Sequence, residues 1–166
     1  MTNSWTDLFQ DLMAELRKQC ALFYADRLVS VVAFGSVGRG TMRPDSDIDL
    51  LLVIDPLPKG RLRRVAEFDA VERQMEPMLV GARIHGVHTR LSPVFKTPAE
   101  VCLGSPLFLD MTEDAQILYD RDAFFAHEMN RLKERLARLG ARRIWKGNAW
   151  YWDLKPDYKY GEEFQI

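Results

Sequence analysis

The sequence predicts an α/β (α+β) fold, in which helices flank a small mixed β-sheet and a helical, aromatic C-terminal extension follows. Two short apolar runs, residues 29–34 and 48–54, have the composition of strands that are buried on both faces. Amphipathic helical patterns lie before and after these runs. A chain of 166 residues with 47% hydrophobic content is long enough for one domain with a full core.

The first predicted element is an amphipathic helix over residues 4–25. Its apolar side chains recur at spacings of three and four residues, which places them on one face. Ser4 and Asp7 have the spacing of a capping box, which is typical of a helix start. We expect this helix to cover one face of the sheet that begins near Val29.

The predicted strand over residues 29–34 ends at Gly35 and Ser36, where glycine allows a sharp turn and a close approach to backbone amides. The predicted strand over residues 48–54 carries Asp47 and Asp49 at its start. Residues two apart in a strand point to the same side, about 7 Å apart, so the two carboxylates share one face. A hard divalent cation such as Mg²⁺ would relieve their repulsion, and it would bring phosphate oxygens with it.

This stretch resembles the signature of the polymerase-β-like nucleotidyltransferases, in particular their small bacterial members. The resemblance rests on a Gly-Ser pair, an Asp-x-Asp pair after ten intervening residues, and the residues that fill the gap between them. The matching residues are Gly35, Ser36, Arg39, Gly40, Pro44, Asp45, Ser46, Asp47, Ile48 and Asp49.

The resemblance implies a nucleotidyltransferase-like domain over residues 1–120. Such a domain transfers a nucleoside monophosphate from a magnesium-bound nucleoside triphosphate to a hydroxyl group, and ATP is the first candidate for the triphosphate. Asp47 and Asp49 would be the catalytic residues and would hold Mg²⁺ or Mn²⁺. Gly35 and Ser36 would bind the phosphates, with Arg39 as a further nucleotide-binding candidate. The acceptor stays open among a protein, an RNA and a small molecule, and a protein partner such as a toxin is a further expectation.

A simpler interpretation of the motif is an ordinary strand-to-helix turn at Gly35 followed by a polar turn at residues 45–47. It does not explain why Asp49 lies inside an apolar run, where an unpaired charge is costly.

The next predicted elements are a helix over residues 59–76, ended by Pro77, and a third strand over residues 82–91. In the family that this sequence resembles, the third strand supplies a third acidic residue, and this run contains none. His85 and His88 are three apart, so on a strand they would face opposite sides and could not chelate one ion. A second hypothesis is therefore a catalytically impaired nucleotide-binding or antitoxin-like protein that masks a partner.

Two short helices, over residues 98–103 and 106–112, and a strand over residues 115–119 at the sheet edge are predicted next. Asp110, Glu113 and Asp114 lie near this strand. One of them could replace the missing carboxylate, although acids facing solvent around a turn are the simpler expectation.

The C-terminal extension, residues 121–166, is predicted to be a helix over residues 122–140 and an aromatic tail that pack on the domain. So many aromatic side chains would be unfavourable in water, so they should pack on the body, on a second copy of the chain or on a partner. Stacking of nucleic-acid bases on the aromatic rings is the alternative.

The overall charge of the chain gives no general attraction to nucleic acid or to a membrane surface. Its formal net charge is -1, and no apolar run approaches the roughly 20 residues that a membrane-spanning helix needs. The start of the sequence has no signal-like pattern, so we expect no membrane contact and a cytoplasmic location.

Overall fold

The computed structural model describes residues 4–166, and within them the chain forms six α-helices and six β-strands. The helices are α1 (Trp5–Tyr24), α2 (Gly35–Arg39), α3 (Arg61–Ile84), α4 (Pro98–Cys102), α5 (Leu107–Asp114) and α6 (Phe124–Arg138). The strands are β1 (Leu28–Phe34), β2 (Ile48–Ile54), β3 (Leu91–Lys96), β4 (Gln116–Asp120), β5 (Arg142–Lys146) and β6 (Ala149–Asp153). Residues 1–3, with which the predicted domain 1–120 begins, lie outside this part.

The main sheet has four strands in the order β3-β2-β1-β4. β1 is antiparallel to β2 and to β4, whereas β2 and β3 are parallel, so the predicted mixed sheet is confirmed. The two central strands are almost entirely buried, as their continuous apolar composition predicts. Their boundaries match the sequence prediction to within one residue.

Helices cover both faces of this sheet. One face packs on α1 and α3, and the other packs on α5 and α6, each through its own apolar cluster. Along β2, Leu50 and Leu52 belong to the first cluster, and Leu51 and Val53 belong to the second. Because side chains alternate along a strand, Asp49 points to the same side as Leu51, towards α5 and α6.

The start of α1 follows the predicted capping box. The Ser4 side chain accepts a hydrogen bond from the Thr6 amide, and the Asp7 carboxylate accepts one from the Ser4 amide at 3.0 Å. Six apolar or aromatic side chains of α1 are buried against the sheet. The predicted helix and the face that it covers are both confirmed.

The prediction that a helix ends at Pro77 is wrong, because α3 runs on to Ile84. Pro77 has no N–H group to bond the carbonyl group of Arg73 one turn earlier. Both residues are exposed, so water can bond that carbonyl group instead. Leu79 and Ala82 continue the buried stripe of α3 beyond the proline. Their packing on the sheet keeps the helix together where local propensity would end it.

The third strand was predicted too early, over residues 82–91, because residues 82–90 are the end of α3 and a loop. The strand begins at Leu91 and contains Pro93, which argues against a strand interior. β3 lies at the edge of the sheet, where one side of the strand pairs with no other strand. A proline there interrupts no hydrogen bond between strands if its nitrogen faces that side. His85 and His88 lie in the exposed loop before it.

The later elements follow the prediction more closely. The two short helices, the edge strand β4 and the long helix α6 are all present, with α6 beginning at Phe124. The aromatic tail forms a two-stranded antiparallel hairpin, β5–β6, which the sequence analysis missed. Its turn is Gly147 and Asn148, with Gly147 at a φ of 65°, as a tight two-residue hairpin turn requires.

Within residues 4–166, none of the helices has the length and apolar composition that crossing a membrane requires. The cytoplasmic location and the boundary between residues 120 and 121 stay predictions.

Candidate functional site

The motif residues meet where β1 passes into α2, beside the start of β2. Phe34, the last residue of β1, is paired with Asp49, so Gly35 is adjacent to Asp49 across the sheet. Gly35 has a φ of 64°, and a Cβ built on it would lie 2.3 Å from Asp49 Oδ2. The Asp49 carboxylate thus lies directly against the Gly35 backbone, which leaves no room for a side chain there.

Asp47 and Asp49 lie on the same side of the chain, one before β2 and the other inside it. Asp49 is half-buried, and burial raises its pKa above the ordinary value. Hydrogen bonding by the Ser92 side chain lowers this pKa, the Asp47 charge raises it and the Arg39 charge lowers it. Asp47 Oδ1 lies 3.6 Å from Nε of Arg90, whose side chain is exposed.

Ser92 occupies the neighbouring position on β3. The parallel register pairs Asp49 with Ser92, so their side chains lie side by side on the face that packs on α5 and α6. β3 itself carries no acidic residue. Among residues 4–166, no three histidine, cysteine or acidic side chains come together in a way that could hold a metal ion.

Of the three acids that the sequence offered as a replacement, Glu113 is exposed to solvent as expected, and the other two are engaged elsewhere. Asp110 accepts hydrogen bonds from the indole N–H groups of Trp150 and Trp152, at 2.7 and 2.9 Å. Asp114 forms an ion pair with Arg143. The prediction that these acids simply face solvent around a turn is therefore wrong for Asp110 and Asp114, because they attach the hairpin to α5.

α2 is short and tightly packed. A Cβ on Gly38 would lie 2.1 Å from the Asp114 carbonyl oxygen, so the glycine allows α2 to approach the end of α5 closely. Arg39, at the end of α2, places its guanidinium carbon 4.8 Å from the centre of the Trp150 ring. Ser36 is the second residue of α2, and its carbonyl oxygen accepts the Thr41 amide at 2.9 Å.

The structure therefore brings four predicted residues together: Gly35 contacts Asp49, Asp47 lies on the same face, and the Arg39 charge acts on Asp49. Ser36 is adjacent to Gly35. The sequence analysis missed Ser92, because it placed the third strand too early, and Trp150, because it did not identify the hairpin. The Gly147-Asn148 pair between two runs of strand-forming residues was the signal for that hairpin.

Comparison with known proteins identifies the family of this chain. Residues 13–102 match the family described as "Nucleotidyltransferase domain", and this range includes all the motif residues. A relative from Methanocaldococcus jannaschii, named "Putative protein adenylyltransferase MJ1305", is 29% identical over 134 residues, which cover 80% of this chain and 86% of the relative.

Two solved structures are also similar. One is a toxin-antitoxin with AMP-PNP, 12% identical, with a TM-score of 0.42 over 81% of this chain and 92% of that one. The other is a mutant of the toxin-antitoxin MntA-HpeT, 13% identical, with a TM-score of 0.38 over 74% of this chain and 88% of that one. Because both TM-scores lie below 0.5, no assignment rests on them.

The matched range covers more than half of the 166 residues and contains the site. The resemblance predicted from the Gly-Ser and Asp-x-Asp pairs is confirmed, and the chain belongs to the nucleotidyltransferase domain family.

Proposed function

We propose that this protein is an enzyme that transfers a nucleoside monophosphate, with ATP as the first candidate donor, to a hydroxyl group of an acceptor protein. The observation that carries the proposal is the pair of carboxylates, Asp47 and Asp49, on one face beside the Gly35 turn. The name of the relative from Methanocaldococcus jannaschii, a putative protein adenylyltransferase, supports a protein acceptor and an adenylyl group.

The carboxylate pair fits a hard divalent cation. Burial and the neighbouring Asp47 charge both make the charged form of Asp49 unfavourable, which raises its pKa, and a cation would relieve this cost. Mg²⁺, or Mn²⁺ in its place, binds a few carboxylate oxygens together with phosphate oxygens. We assign Asp47 and Asp49 as its ligands; when bound, the cation neutralises negative charge on the triphosphate.

The turn between β1 and α2 supplies the groups for the phosphates. The first amides of any helix have no partner inside the helix, and Gly35 and Ser36 are only partly buried beside Asp49. We propose that the amides of Gly35 and Ser36 and the Ser36 hydroxyl donate to phosphate oxygens. Arg39 adds a positive charge at the other end of α2.

The reaction proposed for this site is a displacement at phosphorus. The acceptor oxygen forms a bond to the α-phosphorus, and the bond from that phosphorus to the oxygen bridging it to the β-phosphate breaks. Pyrophosphate leaves with the bonding electrons, and the hydroxyl proton passes to solvent. The residues of this chain contribute by positioning the triphosphate and balancing its charge.

A second function is favoured by one observation, the absence of an acid from β3. Ser92 stands beside Asp49 where a further carboxylate could help to hold a metal ion. A chain with this site could bind a nucleotide without transferring it, and act by masking a protein partner such as a toxin.

The test is a pair of measurements on the purified protein: binding of Mg-ATP by calorimetry, and release of pyrophosphate with cell extract as the source of acceptors. The informative variants are Asp47→Asn and Asp49→Asn, which keep the side-chain shape and remove the charge. We expect both variants to lose metal-dependent binding of ATP at least tenfold. Asp11→Asn is the matched control, because Asp11 is exposed on α1, across the sheet from the site.

Three results are distinguishable. Pyrophosphate release that disappears in Asp49→Asn but not in Asp11→Asn supports the transferase. Metal-dependent binding with no pyrophosphate release from any extract supports the masking function. If the Asp49→Asn variant binds Mg-ATP with the affinity of the parent protein, the site assignment is contradicted for both the transferase and the masking function.

A further inference from the structure

The C-terminal hairpin is attached to α5 by two acidic side chains. One oxygen of Asp110 accepts the indole N–H groups of Trp150 and Trp152, and Asp114 pairs with Arg143 of the first hairpin strand. Three side chains of the hairpin are thus fixed to one helix. The Trp150 ring in particular is held at its N–H by a charged acceptor, which gives a stronger hydrogen bond than a neutral one.

The fixed Trp150 ring is the surface on which Arg39 lies. The Arg39 guanidinium carbon is 4.8 Å from the ring centre, within the range of a cation–π contact. Arg143 and the Trp145 ring lie on the same indole, at 5.3 Å and 4.9 Å. Arg39 comes from α2, and Trp150 comes from a strand more than a hundred residues later.

Within residues 4–166, the contact that holds Arg39 is the one with the Trp150 ring, and its side chain donates no hydrogen bond to the protein. In the described part of the chain, Arg39 has no carboxylate within ion-pair distance, although its charge affects Asp49. A cation–π contact uses the charge of the guanidinium and leaves its N–H groups available. Those groups suit the oxygens of a phosphate, which a planar arginine can bind in pairs.

We propose that Trp150, fixed by Asp110, is a positioning residue that holds Arg39 so that its N–H edge meets the triphosphate of the nucleotide. The inference rests on the function proposed above, and it makes the hairpin a part of the nucleotide site. Trp150 itself does not touch the reacting atoms. Its effect passes through Arg39.

The test is a double-mutant cycle on Mg-ATP affinity with the full chain. Trp150→Leu removes the ring, Arg39→Ala removes the guanidinium, and the double variant removes both. We expect Trp150→Leu to weaken Mg-ATP binding roughly five- to tenfold, as the loss of a cation–π contact and of the arginine position implies. In the Arg39→Ala background, the same Trp150→Leu change should have no further effect, because nothing is left to position.

The matched control is Trp152→Phe. Trp152 gives Asp110 the same kind of hydrogen bond as Trp150 does, but its ring packs against the apolar cluster on the α5 and α6 side. We expect Trp152→Phe to leave the affinity within twofold. Trp150→Phe should restore most of the affinity that Trp150→Leu loses, because it keeps an aromatic face for Arg39 and lacks only the N–H group.

Each variant is checked for folding by its melting curve, and Trp150→Met, which fills a similar volume, replaces Trp150→Leu if that variant unfolds. Additive losses in the cycle, or a Trp150→Leu affinity equal to that of Trp152→Phe, overturn the inference. If Asp49→Asn still abolishes binding in that case, the proposed function stands without it. If the parent protein binds no Mg-ATP, both are overturned.

Discussion

The Asp49 carboxylate occupies the space that a side chain on Gly35 would need, with Oδ2 2.3 Å from the position of a Cβ. The contact joins the two halves of the motif, one at the end of β1 and the other in β2. The ten residues between Ser36 and Asp47, which include the rest of α2 and the loop after it, therefore connect two points that are in contact through the sheet. The spacing between the Gly-Ser pair and the Asp-x-Asp pair is thus the length of chain that returns Asp49 to Gly35.

Gly35→Ala should destabilise the protein by about 1–3 kcal/mol, because its φ of 64° is unfavourable for alanine and the new methyl group displaces Asp49. Chemical denaturation measures the change in unfolding free energy. Gly81→Ala is the control: it lies in α3 with open space around it, and should be neutral or stabilise by up to about 1 kcal/mol. Equal effects of the two substitutions would contradict the close contact.

Ser92→Asp should place a third carboxylate beside Asp49, because the two positions are paired in register. Without metal, we expect a lower melting temperature than in the parent, since like charges would be side by side. With Mg²⁺ present, we expect at least about tenfold tighter metal binding, seen as a larger stabilisation by the ion. Ser92→Asn, of the same shape and without charge, should show neither effect; a Mg²⁺ response equal in both variants would refute the geometry.

Asp49→Asn should make the metal-free protein more stable at neutral pH, by about 1–3 °C in melting temperature. Burial raises the pKa of Asp49, so the folded state binds its proton more tightly than the unfolded state does. The unfolding free energy of the parent therefore falls as pH rises from about 4 through the raised pKa, and asparagine avoids this loss. Melting curves in a chelator should show the advantage at about pH 7 and its disappearance near pH 3.

Glu100 should show the opposite pH dependence. Arg64 donates two hydrogen bonds to its carboxylate, at 2.8 and 2.9 Å, and these lower the pKa of Glu100 below its ordinary value of 4.5. The stability that Glu100 contributes is thus present above about pH 4.5 and is lost as pH falls through the lower folded pKa.

Glu100→Gln should accordingly cost about 1 kcal/mol at pH 7, because the pair is partly exposed, and the cost should vanish near pH 3. Denaturation at both pH values measures it. The control is Glu134→Gln on the exposed side of α6, which should have no effect at either pH. If Glu100→Gln lowers the unfolding free energy as much at pH 3 as at pH 7, the contribution of Glu100 comes from packing and not from its charge.

The parts of the fold that the sequence predicts well are those in which local pattern and burial agree. β2 is apolar except for Asp49, which indicates a site, and the ends of the strand coincide with the prediction. The capping residues Ser4 and Thr97 mark the starts of α1 and α4 for the same reason, since each bonds the backbone within three residues.

The errors arise where distant contacts override local preference. Pro77 is a helix breaker in isolation, but the burial of Leu79 and Ala82 keeps α3 intact. Pro93 conceals β3, because only the sheet order reveals that this strand lies at an edge. Ser92 then falls beside Asp49, a pairing that no spacing along the chain could reveal.

The contacts of the hairpin with the site were unpredictable for the same reason, because they join residues that are distant in the sequence. Its aromatic residues are evident in the sequence, but Asp110 and Trp150 are 40 residues apart and meet only through the tertiary fold. Charge and aromatic content predicted that these residues would be covered or bound. Which acid would accept the indole N–H groups was not predictable.

The attachment of the hairpin also bears on how the protein is made. The carboxylate pair and the Gly35 turn belong to the first third of the chain, whereas the ring beneath Arg39 is translated with residues 142–153. A growing chain can form the β1–β2 pair early, because the two strands are close in sequence. Until the hairpin has emerged and docked on α5, however, Arg39 lacks the ring that it lies against. The nascent protein thus carries its two carboxylates before the ring that Arg39 lies against has been made.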